Sequence, residues 1–183
     1  MPTGPQAQTQ PVGDFRGFGL ITNTDGWVLV GNQLNLTTSG GAGWSDITPA
    51  MTPSANIQAV QFLDNQMGWV LWSDDQADGS LVLQIAHTSD QGKSWNNSLI
   101  QTLSPDDPDA DMESASMLWL DENTGWVSVK RRTGTNFSSG TLFRTEDGGL
   151  SWQRLALPIG GPVYFVNSRL GWMAGGPAGD QTR

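Results

Sequence analysis

Phe62-Leu63-Asp64-Asn65-Gln66-Met67-Gly68-Trp69-Val70, followed by His87-Thr88-Ser89-Asp90-Gln91-Gly92-Lys93-Ser94-Trp95, is the pair of stretches whose reading decides the fold. The first is an apolar run, a polar turn and Gly-Trp; the second is a polar turn closed by Trp. Both return, as Leu118-Trp119-Leu120-Asp121-Glu122-Asn123-Thr124-Gly125-Trp126-Val127 and as Phe143-Arg144-Thr145-Glu146-Asp147-Gly148-Gly149-Leu150-Ser151-Trp152. Trp69 and Trp95 are 26 positions apart, and so are Trp126 and Trp152. Gly-Trp follows a turn in the same way twice more, at Gly26-Trp27 and Gly171-Trp172, so the four pairs of this kind lie 42, 57 and 46 residues apart. A worn turn, Thr37-Thr38-Ser39-Gly40-Gly41-Ala42-Gly43-Trp44, closes the first unit. Self-similarity at such a period marks a repeat architecture in which each unit buries its face on the next.

Strands follow from the same pattern, because polar turn clusters between β-rich runs signal hairpins. First strands are expected at Gly17–Ile21, Ile57–Leu63, Ser116–Leu120 and Val163–Val166, and second strands at Trp27–Val30, Trp69–Trp72, Trp126–Val129 and Trp172–Ala174. Third strands fall at Leu34–Thr37, Leu81–Thr88 and Thr141–Thr145, and fourth strands at Trp44–Ile47, Trp95–Ile100 and Trp152–Leu157. Four short antiparallel strands per unit make the blade of an all-β propeller. The blades run over about 14–49, 55–103 and 114–158, with a half blade at 162–176, a polar Pro/Gly/Gln-rich lead at 1–13 and a tail at 177–183. Three and a half blades cannot close a ring of four to eight. The expectation is therefore half of a longer propeller, or two chains completing one ring, with self-association of the isolated chain.

The T-x-D-x-G-x-S-W turns resemble the Asp-box, or BNR repeat, of sialidase and sortilin propellers. With the acidic turn and Gly-Trp added, the pattern F-L-D-N-Q-M-G-W-V then H-T-S-D-Q-G-K-S-W resembles the photosystem II stability and assembly factor group, as does L-W-L-D-E-N-T-G-W-V then F-R-T-E-D-G-G-L-S-W. The likeness runs from about Phe15 to Gly176. It implies a larger, seven-bladed ring and a non-catalytic assembly scaffold, and it says more about fold than about activity.

Within the boxes, Asp90 and Asp147 sit where a carboxylate can accept N–H bonds from its own turn. Gly92 and Gly149 can take positive φ, Ser94 and Ser151 can close the loop, and Trp95 and Trp152 can cover the hairpin. These residues read as structural, and the worn turn, with Ser39 for the aspartate and Gly43 for the serine, reads as looser. Trp27, Trp69, Trp126 and Trp172 recur at one strand position and read as core between blades. Trp72 and Trp119 fall outside that set and become candidate sugar platforms.

The face opposite the boxes carries the loops that would meet a ligand. Asp74, Asp75 and Asp78 make one such segment acidic, as do Asp107, Asp109 and Asp111 in the connection Ser104–Ser114, while Lys130-Arg131-Arg132 is the basic cluster. The alternate spacing of Asp107, Asp109 and Asp111 resembles the start of a calcium loop, but Met112 replaces its glycine and Leu118 its bidentate glutamate. Calcium is thus a weak candidate, and no cofactor is implied.

Composition narrows the function classes. Net charge of -9 and a pI near 4.2 argue against a nucleic-acid partner, which needs a basic stripe. Zero cysteines exclude disulfides and thiolate chemistry, and no apolar run reaches the eighteen or so residues of a membrane helix. A sialidase-like site needs an arginine triad, a tyrosine nucleophile and a carboxylate. Tyr164, the one tyrosine, lies in an apolar strand, so no catalytic residue is named. The leading expectation is a protein-binding scaffold in the cell envelope or outside the cell; the alternative is a carbohydrate-binding or glycosidase-like propeller.

Overall fold

A computed structural model of the chain describes residues 10–132, 139–157 and 160–174. Most of the polar lead, the tail at 177–183 and parts of the 130–140 and 158–161 loops lie outside them. Among the described residues every regular element is a strand, and no helix is long and apolar enough to cross a membrane. Four strands form the first blade: β1 (Phe15–Leu20), β2 (Gly26–Val30), β3 (Gln33–Thr37) and β4 (Ser45–Asp46). The second contains β5 (Ala55–Phe62), β6 (Gly68–Asp75), β7 (Leu81–Thr88) and β8 (Asn96–Leu103). The third contains β9 (Met112–Trp119), β10 (Gly125–Arg131), β11 (Gly140–Thr145) and β12 (Gln153–Leu157). A half blade pairs β13 (Val163–Asn167) with β14 (Leu170–Met173). Each complete blade is a meander in chain order, as the turn signals require.

One local device builds every first hairpin. Asp64 Oδ1 accepts the N–H groups of Gln66 and Met67 at 2.7 and 2.6 Å, and Asp121 Oδ1 those of Asn123 and Thr124 at 2.8 and 2.7 Å. Asn167 does the same for Arg169 and Leu170 at 2.9 Å each, and Thr22 Oγ1 stands in for the carboxylate in the first blade, holding Asp25 N at 2.9 Å. These Asx-type turns deliver the glycine of Gly-Trp beneath a large side chain six residues earlier. A Cβ on Gly68 would lie 2.5 Å from Phe62, on Gly125 2.6 Å from Trp119, and on Gly171 2.5 Å from Phe165. The ring covers the bare backbone, so glycine is required there by space, not by φ.

The chain divides into two compact bodies. One joins the first blade to the Phe62–Gly68 and Thr88–Trp95 turns. In it, Trp95 Nε1 donates to Ile47 O at 2.8 Å, and Phe62 meets the Trp95 ring edge-on at 6.4 Å. The other comprises Met51–Gln61, Trp69–His87 and the chain from Asn96 onward. Its centre is a stack: Trp69 lies on Trp119 with centroids 4.3 Å apart and rings 12° from parallel, and His87 covers the opposite face of Trp69 at 4.8 Å. Trp126 repeats the arrangement on Phe165, at 4.0 Å and 5°. Gln61 adds a paired hydrogen bond, its amide giving to Trp119 O and taking from Trp119 N at 2.9 Å each.

Two expectations about tryptophan change. Trp119 and Trp72 are 1% and 2% exposed, so neither is a sugar platform. Trp119 occupies the position six before Gly125 that Phe62 and Phe165 hold before their own glycines, and belongs to the repeat after all. Trp172, expected in the core, is 58% exposed, while Trp69 and Trp126 at the equivalent position are at 0% and 1%. Trp27 is half-buried, its ring beside Gly17 and Gly19 of its own sheet.

Candidate interaction face

The box end is closed to chemistry. Asp90 Oδ1 accepts Thr88 Oγ1 at 2.8 Å and Ser94 N at 2.9 Å, and Oδ2 accepts Ser94 Oγ at 2.6 Å. Asp147 makes the same three bonds, to Thr145 Oγ1 at 2.7 Å, Ser151 N at 2.9 Å and Ser151 Oγ at 2.6 Å. Hydrogen bonds from the serine hydroxyl, the serine N–H and the threonine hydroxyl hold both carboxyls down to a pKa of about 2. The threonine hydroxyl also accepts the box glycine N–H, Gly92 at 2.8 Å and Gly149 at 3.0 Å. Both glycines have positive φ, 79° and 90°. Thr88 and Thr145 are thus as much part of the box as the aspartates, a role sequence reading missed although the threonine recurs two residues before each aspartate. In the worn turn Thr37 Oγ1 still accepts Gly41 N at 3.0 Å, and Ser39 Oγ reaches Gly43 N at 3.0 Å. One hydroxyl there replaces two carboxylate oxygens.

At the loop end of the third blade, opposite charges meet. The connection after β8 turns on itself, Asp107 N donating to Ser104 O at 2.8 Å and Asp109 N to Asp107 Oδ1 at 2.9 Å. Arg154, projecting from β12, forks onto Asp107 at 2.7 and 2.8 Å and reaches Asp109 Oδ2 at 2.5 Å. Arg131 Nε holds the other Asp109 oxygen, and its Nη2 donates to Thr141 Oγ1 at 3.1 Å. Asp109 is fully buried between the two guanidinium groups. Arg154 keeps the Asp107 carboxyl below its ordinary range against the opposing effect of burial, and Arg154 itself is raised by these carboxylates. Lys130 pairs with Glu113 at 2.6 Å and Arg132 with Asp111 at 3.6 Å.

These pairings correct the calcium candidate. Asp107 and Asp109 face arginines, Asp111 faces Arg132, and among the described residues no group of three or more His, Asp or Glu is placed to hold a metal. Arg154 escaped sequence reading because its partners lie 47 and 45 residues away.

The acidic segment of the second blade also changes. β6 continues to Asp75, so Asp74 is a strand residue, buried and accepting Thr52 Oγ1 at 2.7 Å. Hydrogen bonds from Thr52 and Ser54 lower its pKa. Asp78 closes the β6–β7 turn on Ser80, whose N–H and hydroxyl donate at 2.9 and 2.6 Å. Of the expected ligand-face residues, the structure brings together Asp75 and Arg132. They line a polar groove of about 190 Å³ with Gln58, Ser73, Met112 and Glu113. Amide, hydroxyl, carboxylate and guanidinium groups converge there, a set suited to backbone and charged side-chain recognition and lacking a nucleophile with its base.

Three antiparallel four-stranded sheets and a two-stranded half, each turning through an Asp-type box or hairpin, define the chain as β-propeller blades. Among solved structures the fold is similar to YCF48 from Cyanidioschyzon merolae, at TM-score 0.54 and 17% identity over 89% of this chain and 48% of that one. The chain thus spans about half the length of that structure. A structure described as YCF48 bound to D1 peptide aligns at 16% identity over 93% of both chains, with a TM-score of 0.30 that is too low to bear on the fold. No protein-family model matches the chain, and neither does any curated protein.

Proposed function

We propose that this chain is a non-catalytic protein-interaction module, working outside the cell or in the cell envelope, that receives an extended segment of its partner at the loop end of the second and third blades. The observation that carries the reading is the groove beside Asp75 and Arg132. It is concave and polar, and Arg132 follows β10 at the end opposite the Asp147 box; the carboxylates of both boxes are taken up by their own turns. Fold analogy with the YCF48 propeller agrees with a scaffold role, as analogy only. A sugar-binding role loses its platforms, since Trp72 and Trp119 are core. The glycosidase alternative has no specific observation in its favour: Tyr164 pairs across the half blade with Trp172.

Peptide arrays of mixed-charge extended sequences test this directly. Peptides that bind the wild type are expected to weaken about tenfold, or 1.4 kcal/mol, on both Asp75→Lys and Arg132→Glu. Binding untouched by either change would place the interaction elsewhere. Sialoside or xyloglucan-type substrates are expected to survive incubation with the protein, and a turnover abolished by Tyr164→Phe would replace the scaffold reading with an enzymatic one.

A further inference from the structure

Two apolar faces of the molecule are halves of the same contact. At two of the three internal blade junctions, the Gly-Trp ring of one blade stacks on the ring six residues before the glycine of the next: Trp69 on Trp119 and Trp126 on Phe165. Trp27 lies instead beside Gly17 and Gly19 of its own sheet. Trp172 occupies the donor side of that contact in the half blade. It is exposed, with Tyr164 beside it in the β13–β14 register. Leu20 occupies the acceptor side in the first blade, facing Gly26 across β1–β2, and is 82% exposed. Phe18, on the same side of β1, is 67% exposed. Leu20 and Phe18 border a largely apolar cavity of about 300 Å³ with Gly26, Val28 and Trp44. Trp44, which lines the same cavity, keeps its Nε1 buried and without a hydrogen-bond partner among the described residues, whereas its equivalent, Trp95 Nε1, donates to Ile47 O of the preceding blade. The first blade therefore carries a surface shaped for a neighbouring blade, and the half blade presents the matching ring.

We propose that a second copy of this chain docks head to tail, the Tyr164–Trp172 face of one copy closing over the Phe18–Leu20 face of the next in the register already used between the internal blades. The occupant follows from continuity with the Trp69–Trp119 and Trp126–Phe165 contacts, since Trp172 is the exposed residue at the repeat position those contacts use. Leucine offers less stacking area than Phe165 or Trp119, so the contact is weak and concentration-dependent. With -9 charges per copy, long-range repulsion opposes it, and added salt strengthens it.

Sedimentation velocity on the full chain from low to high micromolar concentration provides the test, with Leu20→Asp and Trp172→Asp alone and mixed. The wild type is expected to exceed its 19.7 kDa monomer mass, more so at high salt. Each variant alone is expected to be monomeric. Their equimolar mixture is expected to form a dimer and nothing larger, because one intact Trp172 face and one intact Leu20 face remain. Near-UV circular dichroism checks folding, and Leu20→Gln and Trp172→Gln replace either aspartate that perturbs it. A wild type that stays monomeric, a variant that assembles like the wild type, or a mixture that stays monomeric overturns the proposal. So does association that weakens with salt, which would mark an ionic contact.

Discussion

Trp126 and Trp172 stand in the same local sequence, each after a glycine that ends an Asx-type hairpin, yet one is buried and the other is open to solvent. Nothing in either hairpin accounts for the difference. Trp126 has Phe165 of the following half blade lying flat against it, and among the described residues Trp172 has no such ring. In a repeat protein the burial of a residue is a property of the interface, and the unit supplies only the orientation. The boxes teach the converse lesson. In the second and third blades the aspartate and threonine side chains make the same bonds because those partners lie within eight residues, so a local motif fixes a local structure. The closing tryptophans differ, Trp95 Nε1 giving to Ile47 O and Trp152 Nε1 to Gly149 O.

The largest break in that symmetry is expected from truncation. Trp126→Ala removes a fully buried ring and should lower unfolding free energy by about 3–5 kcal/mol, whereas Trp172→Ala should cost below about 1 kcal/mol in a dilute sample. Urea unfolding of the two variants side by side reads the contrast. Gly125→Ala comes next, because the new methyl must displace Trp119; a loss of about 1–3 kcal/mol is expected, against no steric loss at Gly40, where the space beside the backbone is open and only its positive φ counts. Thr145→Ala in a complete box should cost about 1 kcal/mol by stripping Gly149 N–H of its acceptor and the Asp147 carboxylate of a donor, and Thr37→Ala in the worn turn distinctly less, because the Thr37 hydroxyl meets Ser39 Oγ at 3.4 Å in place of a carboxylate. Equal costs would show that the boxes do not differ.

Acid titration gives the smallest effect and separates two windows. His87 is held neutral by burial against Trp69, so its folded pKa lies below its ordinary 6.5, with the Glu122 charge opposing the shift. The unfolded chain takes up that proton first, and stability should begin to fall as pH drops below about 6.5. A His87→Phe variant should lack this first decline. Asp90 and Asp147 are depressed from 3.8 to about 2, so their contribution is intact above about pH 4 and is lost as pH falls through about 2.

Much of the fold was legible because its signals are short-ranged. β7 was read to the residue, and most other strands within two or three, since Asp, Asn and Gly mark the turns themselves. Trp119 is hard to place from sequence for a specific reason. Its repeat position is filled by Leu20, Phe62, Trp119 and Phe165, four residues that share bulk and lack a common identity, so a search for recurring tryptophan passes over it. Asp74 reads as a loop residue because acidic residues usually leave a strand, and Thr52, more than twenty residues earlier, supplies the hydroxyl that lets it stay. Asp107 and Asp109 looked like cation ligands because their spacing is visible in the chain and Arg154 is not visible beside them. The charge network is tertiary, and only folding brings its halves together.

Where they stack, the Gly-Trp ring and the ring six residues before the next glycine form one energetic unit. A double-mutant cycle of Trp126→Ala and Phe165→Ala by urea unfolding measures it. The stacked geometry predicts a coupling energy of about 0.5–1.5 kcal/mol favouring the pair. Additivity of the two losses within about 0.3 kcal/mol would mean the rings are buried independently and would contradict it.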